Sequence, residues 1–376
     1  MSPARAIIFV FFLHAATFGG VFARLPDIQS RLGMDDATLG LGLTLGALGG
    51  MFALFVSARM IARFGTKLTL LIGVPAMAVL SALTGVVGSV PAIFAVFLVN
   101  GTVFSFTNIA MNIEADRIES HSGRKVMNRA HALWSAGMLL ASLVGVAARA
   151  LPVSTALHLG LIAPLIIAGV LVALIPIEPA PRAEDDRSER KGFAWPDGKT
   201  LILMLFALSA GIGQSGTQNW SVIFMDQNFG APDWLDTLAL PAYLGCLMIS
   251  RLLSDGWIER FGQTRVIYAQ SGAALFGLLL VIVSPGLWSA LIGFALIGLG
   301  TAILFPMTIT AAARIPDRPA ADSVAAMVLA TSIVMMIAPA FMGWVSEYYG
   351  LRAAFATALP SFILTLMLVR RALGPR

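Results

Sequence analysis

Ile61-Ala62-Arg63-Phe64-Gly65-Thr66-Lys67 and, 197 residues later, Ile258-Glu259-Arg260-Phe261-Gly262-Gln263-Thr264-Arg265 are the two stretches on which the plan of this chain turns. Ile, Arg, Phe and Gly recur in the same order, each time between two long apolar runs. Four matching residues alone are weak grounds for a repeat. The match gains weight because the same shift lays the fourth apolar run onto the tenth, with a polar break between the copies. Duplication of a six-run unit is the economical reading.

The runs themselves define the class. Of 376 residues, 58% are hydrophobic and 12% charged, with mean hydropathy +0.85. Soluble proteins have about 45–50% apolar and about 25% charged residues. A hydrocarbon core of roughly 30 Å takes about 20 mainly apolar residues per helix. Runs of that kind lie at 6–23, 37–58, 68–87, 91–112, 131–149 and 156–176, then at 200–223, 236–254, 266–284, 287–310, 322–345 and 352–370. They lack the alternation of transmembrane strands. The expected fold is an all-α membrane protein, with twelve transmembrane helices in two six-helix bundles. Residues 1–176 form the first bundle, 177–199 a charged, Pro-bearing cytoplasmic linker, and 200–376 the second. The run at 6–23 is read as a retained span, because it has no convincing small-residue cleavage site.

Assigning loops to alternate sides puts 21 of the 25 Lys and Arg residues on one side. The positive-inside rule makes that side the cytoplasm and places both termini there. The basic residues form no stripe with interleaved aromatics, so a nucleic-acid partner is not expected. One cysteine, Cys246, cannot make a disulfide or a thiolate metal site within the chain. There is no Walker loop, Gly-x-Ser-x-Gly elbow or His-Glu-x-x-His pair, so neither ATP drive nor enzyme activity is expected, and no cofactor or metal.

The loop after the second run resembles that of the major facilitator superfamily, usually Gly-x-x-x-Asp-Arg-x-Gly-Arg-Arg/Lys. Here it reads Ala58-Arg59-Met60-Ile61-Ala62-Arg63-Phe64-Gly65-Thr66-Lys67, with Ala62 in place of the Asp. The second copy keeps more charge, in Arg251, Asp255, Glu259, Arg260 and Arg265. Asn108-Ile-Ala-Met-Asn112, Gly123-Arg124, His131-Ala-Leu-Trp134-Ser135-Ala-Gly137, Asn219-Trp220-Ser221 and Gly298-Leu-Gly300 with Pro306 look like bacterial permeases of the YbjJ and MosC type, themselves similar to fucose-permease-like carriers. That group often has an acidic residue where Gln214 or Asn219 stands here. The resemblance implies a monomeric carrier in the cytoplasmic (inner) membrane of a bacterium, working by alternating access. Spans 1, 4, 7 and 10 would line its cavity, and Arg63, Gly65, Arg251, Asp255, Arg260 and Gly262 would form its gating loops.

Polar residues in those spans are the site candidates, since an intramembrane polar group needs a partner, a cavity or another helix. Asn100, Thr107 and Glu114 are spaced seven apart and share a stripe of span 4, with Asn108 beside it. Gln214 and Gln218 lie one turn apart on span 7, followed by Trp220, whose ring could stack on a sugar face. Thr301 stands on span 10. We expect Asn100, Asn108, Gln214, Gln218, Trp220 and Thr301 to contact a small, sugar-like or otherwise polar solute. His14, deep in span 1, and Glu114, at the end of span 4, are the candidates for proton coupling. Phe104, Phe106 and Phe305 keep export of amphipathic compounds open as an alternative, and a non-transporting membrane sensor is a further one.

Overall fold

The computed structural model describes residues 1–123, 125–180, 198–313, 315 and 320–373. The described residues fold as α1 (Pro3–Phe22), α2 (Leu25–Leu32), α3 (Asp36–Leu83), α4 (Val90–Ser122), α5 (Met127–Ala150), α6 (Thr155–Leu174), α7 (Gly198–Phe229), α8 (Asp233–Thr237), α9 (Ala239–Phe261), α10 (Gln263–Val283), α11 (Leu287–Thr301), α12 (Leu304–Ala313), α13 (Ala320–Ala356) and α14 (Leu359–Leu373). Most of the expected 177–199 linker lies outside the described residues.

Among the described residues, ten helices are long and apolar enough to cross a membrane. That is fewer than the expected twelve because α3 takes in both the second and third expected spans, and α13 with α14 the last two. At 1.5 Å per residue α3 would be about 72 Å long if straight, over twice the thickness to be crossed. It breaks at Gly65, where φ is 76° and ψ 163°. Gly350 in α13 has nearly the same backbone, φ 79° and ψ 161°, as does Gly262 between α9 and α10, φ 82° and ψ 145°. Only glycine adopts that region cheaply. The two repeat copies also share a side-chain arrangement: the Arg63 guanidinium lies 5.6 Å over the Phe64 ring, and that of Arg260 lies 5.2 Å over Phe261.

The tenth expected span also departs from a single helix, being split into α11 and α12 at Ala302 and Ile303. Pro306 is the cause, although the break falls upstream of it. Proline has no N–H for the carbonyl four residues back, and its ring crowds that carbonyl. The carbonyl belongs to Ala302, and Arg251 Nε donates to it at 3.2 Å.

The chain divides into two compact units, Met1–Asp35 with Leu41–Glu189, and Asp36–Gly40 with Arg190–Arg376. In the first, α1 is the central element. Ile7, Val10, Phe11 and Leu13 are buried with Leu70, Val74, Met111, Ile166 and Val170. Close approach of α1 and α5 depends on small residues: a Cβ on Gly19 would lie 2.6 Å from the Met138 carbonyl oxygen, and one on Gly137 2.3 Å from that of Phe12. With no water between helices in lipid, such fits replace hydrophobic burial as the packing force. In the second unit, α7 is the well-buried element, with Phe206, Trp220, Phe224 and Met225 at its core. Phe224 packs edge-on against Phe294 and Phe355.

Candidate functional site

In the first unit the candidates fall into three separate groups. The centre of the first is His14, fully buried. Trp134 Nε1 lies 3.4 Å from its Nδ1 and Thr107 Oγ1 3.0 Å from its Nε2. An indole nitrogen can only donate. Nδ1 must therefore accept, so Nε2 carries the proton and donates to Thr107. The Thr107 hydroxyl passes the chain on to the Val103 carbonyl at 2.8 Å. Both ring nitrogens are thus engaged in a neutral imidazole, with the Phe104 ring 4.8 Å away. Trp134 itself is only half-buried.

Asn108 and Asn112 make the second group: Asn112 Nδ2 donates to the Asn108 carbonyl at 2.8 Å and its side-chain oxygen at 3.3 Å. Asn112 Oδ1 is 3.2 Å from Nε2 of His131, an exposed residue. In the sequence His131 stands out only as part of the His131-Ala-Leu-Trp134 motif, and its position one helical turn before Trp134 is the signal that points to it. Asn100, on the other hand, is buried and donates to Ser81 Oγ at 3.5 Å.

Glu114 forms the third group, away from His14. Thr66 Oγ1 donates to one carboxylate oxygen at 2.5 Å and the Ala180 N–H to the other at 2.9 Å. Beside it Lys67 Nζ donates to the carbonyls of Ile175 and Ile177, at 3.0 and 2.6 Å. These bonds tie the chain leaving α6 to the join inside α3.

In the second unit, Gln214 and Gln218 are half-buried one turn apart on α7. Neither has a hydrogen-bond partner among the described residues, whereas the adjacent Asn219 donates to the Ser215 carbonyl at 2.8 Å. Thr301 is close by on α11: its Cγ2 would be 3.4 Å from a Cβ on Gly213. Its hydroxyl is used within its own helix, donating to the Ile297 carbonyl at 2.8 Å. Trp220 is placed differently from the expectation of a stacking platform. It is 0% exposed, and its indole N–H has no partner among the described residues. Of the expected gating residues, Arg63, Arg251, Asp255 and Arg260 are exposed, and Arg251 Nε also donates to the Ala302 carbonyl between α11 and α12.

One polar cluster was not anticipated. Asp27 on α2 accepts from Arg24 at 2.7 Å and from Arg149 at 2.9 Å. Arg24 also donates to His158 Nδ1 at 3.2 Å and to the Val153 carbonyl at 2.6 Å. It fastens α2 to α5 and α6. The two arginines were visible in the sequence, but α2 was hidden by its shortness.

Known proteins are similar to this chain in sequence and in fold. The chain is 24% identical to an uncharacterized transporter, y4wD, of Sinorhizobium fredii over 94% of both chains. It is 22% identical to membrane protein MosC of Rhizobium meliloti over 93% of this chain and 85% of that one. The crystal structure of the nucleoside transporter NupG superposes with a TM-score of 0.76 over 100% of both chains, at 13% identity, which shows a common fold. The family profile described as Major Facilitator Superfamily matches residues 7–328. A multi-pass helical chain, halved and jointed in this way and matched over most of its length, belongs to the Major Facilitator Superfamily and is a transporter of that family.

Proposed function

We propose that this carrier moves a small, uncharged, hydroxyl-bearing solute across the cytoplasmic membrane of a bacterium by alternating access, as a monomer with both termini in the cytoplasm and no enzymatic activity. The pair of unengaged carboxamides, Gln214 and Gln218, carries the reading. Each offers two donors and an acceptor, and leaving such groups unsatisfied in an apolar helix is costly. A sugar-like or nucleoside-like solute would satisfy both, with Thr301 nearby on α11. His14 or Glu114 would carry a coupled proton if a proton gradient drives the cycle.

The test is a stabilisation screen of the purified protein with monosaccharides, polyols and nucleosides, because a ligand that binds only the folded state raises its melting point. Hits are then followed by flux into liposomes. Stabilisation by amphipathic compounds alone, with no polar solute carried, overturns this reading in favour of export. That alternative draws on the aromatic cluster in which Phe104 lies 4.8 Å from both Phe18 and His14.

A further inference from the structure

A cavity of about 390 Å³ opens beside the break in α3, lined by Phe64, Lys67, Leu68, Leu71, Arg117 and, in the chain following α6, Pro179, among others. It belongs wholly to the first unit and is separate from the His14 and Asn108 groups. Its polar wall is cationic. Lys67 spends two of its three ammonium protons on the Ile175 and Ile177 carbonyls. Arg117 lies on α4 one turn beyond Glu114. The Glu114 carboxylate, beside this wall, accepts from Thr66 Oγ1 and the Ala180 N–H. Arg63, outside the lining, stacks on the lining residue Phe64.

The opposite wall is apolar and continues beyond the cavity. Leu68, Ile72, Val79 and Leu83 are 44, 62, 46 and 38% exposed. Their spacing of four, seven and four residues places them on one face of α3. A compact anion with acyl chains matches both walls: two cations for a phosphate, and a row of exposed aliphatic side chains for the hydrocarbon. Basic pockets between transmembrane helices suit anionic lipid headgroups for this reason. We propose that this cavity binds the headgroup of an anionic phospholipid, with its phosphate between Lys67 and Arg117 and an acyl chain along Leu68, Ile72, Val79 and Leu83. Free phosphate would meet the cations but leave the aliphatic row unused.

The full-length protein, delipidated in an uncharged detergent, is titrated with phosphatidylglycerol, phosphatidylcholine or inorganic phosphate while its thermal unfolding midpoint is followed. Phosphatidylglycerol is expected to raise the midpoint saturably and the other two to leave it in place. Arg117→Gln should weaken the apparent affinity for phosphatidylglycerol about fivefold, the effect of one basic residue at a lipid surface. Arg370→Gln, an exposed residue at the end of α14, should titrate as the wild type does. An equal shift with phosphatidylcholine, or an unchanged titration in Arg117→Gln, overturns the site. A full shift with inorganic phosphate alone overturns the lipid assignment. Should Arg117→Gln not fold, native mass spectrometry of the wild type decides: preferential retention of phosphatidylglycerol supports the proposal, and equal retention of phosphatidylcholine refutes it.

Discussion

Amides of the same chemistry have different employment here, and the difference sets what their removal should do. Asn100 has a helix partner in Ser81, and such interhelical bonds are worth about 0.6 kcal/mol on average. Asn100→Ala should therefore lower the melting point slightly and leave solute affinity alone. Gln214→Ala and Gln218→Ala should do the reverse. Losing a buried hydrogen-bond partner costs about 1–3 kcal/mol, so each should weaken binding of a screened solute by about 5- to 150-fold, measured by equilibrium binding. Trp220 gives a contrast in stability. With no exposed surface and an idle N–H, it should tolerate Phe, which sacrifices no hydrogen bond. Trp220→Ala opens a large void worth about 3–5 kcal/mol and should abolish recovery of folded protein from detergent. The sequence showed which polar side chains lie in apolar runs, because that depends only on local composition. It could not show that His14 meets Trp134 120 residues on, nor that Trp220 turns inward, since both follow from helix rotation and packing. Pro306 signalled a bend. That Arg251 would take the carbonyl it releases depends on a neighbouring helix.

At the level of elements, glycine decides where helices touch and where they join. A Cβ on Gly101 would lie 1.8 Å from the Gly46 carbonyl oxygen, whereas one on Gly160 would meet nothing within 4 Å. Gly101→Val should push α4 off α3 and lower the melting point sharply, overpacking being worth about 1–3 kcal/mol. Gly160→Ala, inside α6, should be neutral or mildly stabilising. The joins behave differently. Added side chains at Gly65 and Gly262 would strike nothing within 4 Å, so the cost of alanine there is in the backbone alone, about 1–3 kcal/mol. Gly65→Ala and Gly262→Ala should each lower the midpoint by a similar amount, and similarity between them is itself a check on the repeat. These two joins were legible from the recurrence of Arg-Phe-Gly. The equivalent join at Gly350 was not, because Tyr349 and Leu351 replace the repeated neighbours and the backbone alone carries the likeness.

For the molecule as a whole, the number and length of apolar runs made the membrane class legible before any coordinates, and the likeness of the Ala58–Lys67 loop to the family's motif made the family legible. The short α2 and the merging of spans into α3 were not, since hydropathy reports burial in lipid and is silent on whether the backbone pauses between runs. Orientation can be tested by labelling single cysteines in intact cells. An impermeant reagent should reach Ala231→Cys and miss Ser122→Cys, and the opposite pattern would reverse the topology. Coupling is tested in liposomes with the double variant His14→Gln, Glu114→Gln. Accumulation under a proton gradient should fail while counterflow exchange persists, and continued accumulation would clear both residues of a coupling role. The single-glycine joins have a further consequence, for the chain's tolerance of length changes. An α-helix turns about 100° per residue, and a join of one glycine has no slack to absorb a change in phase. Deleting one residue beside Gly65 would swing the face bearing Leu68 and Ile72 about a quarter turn, carrying aliphatic side chains from lipid toward the protein interior and Gly73 outward, so insertions and deletions in this lineage should be excluded from these joins while substitutions beside them are accepted.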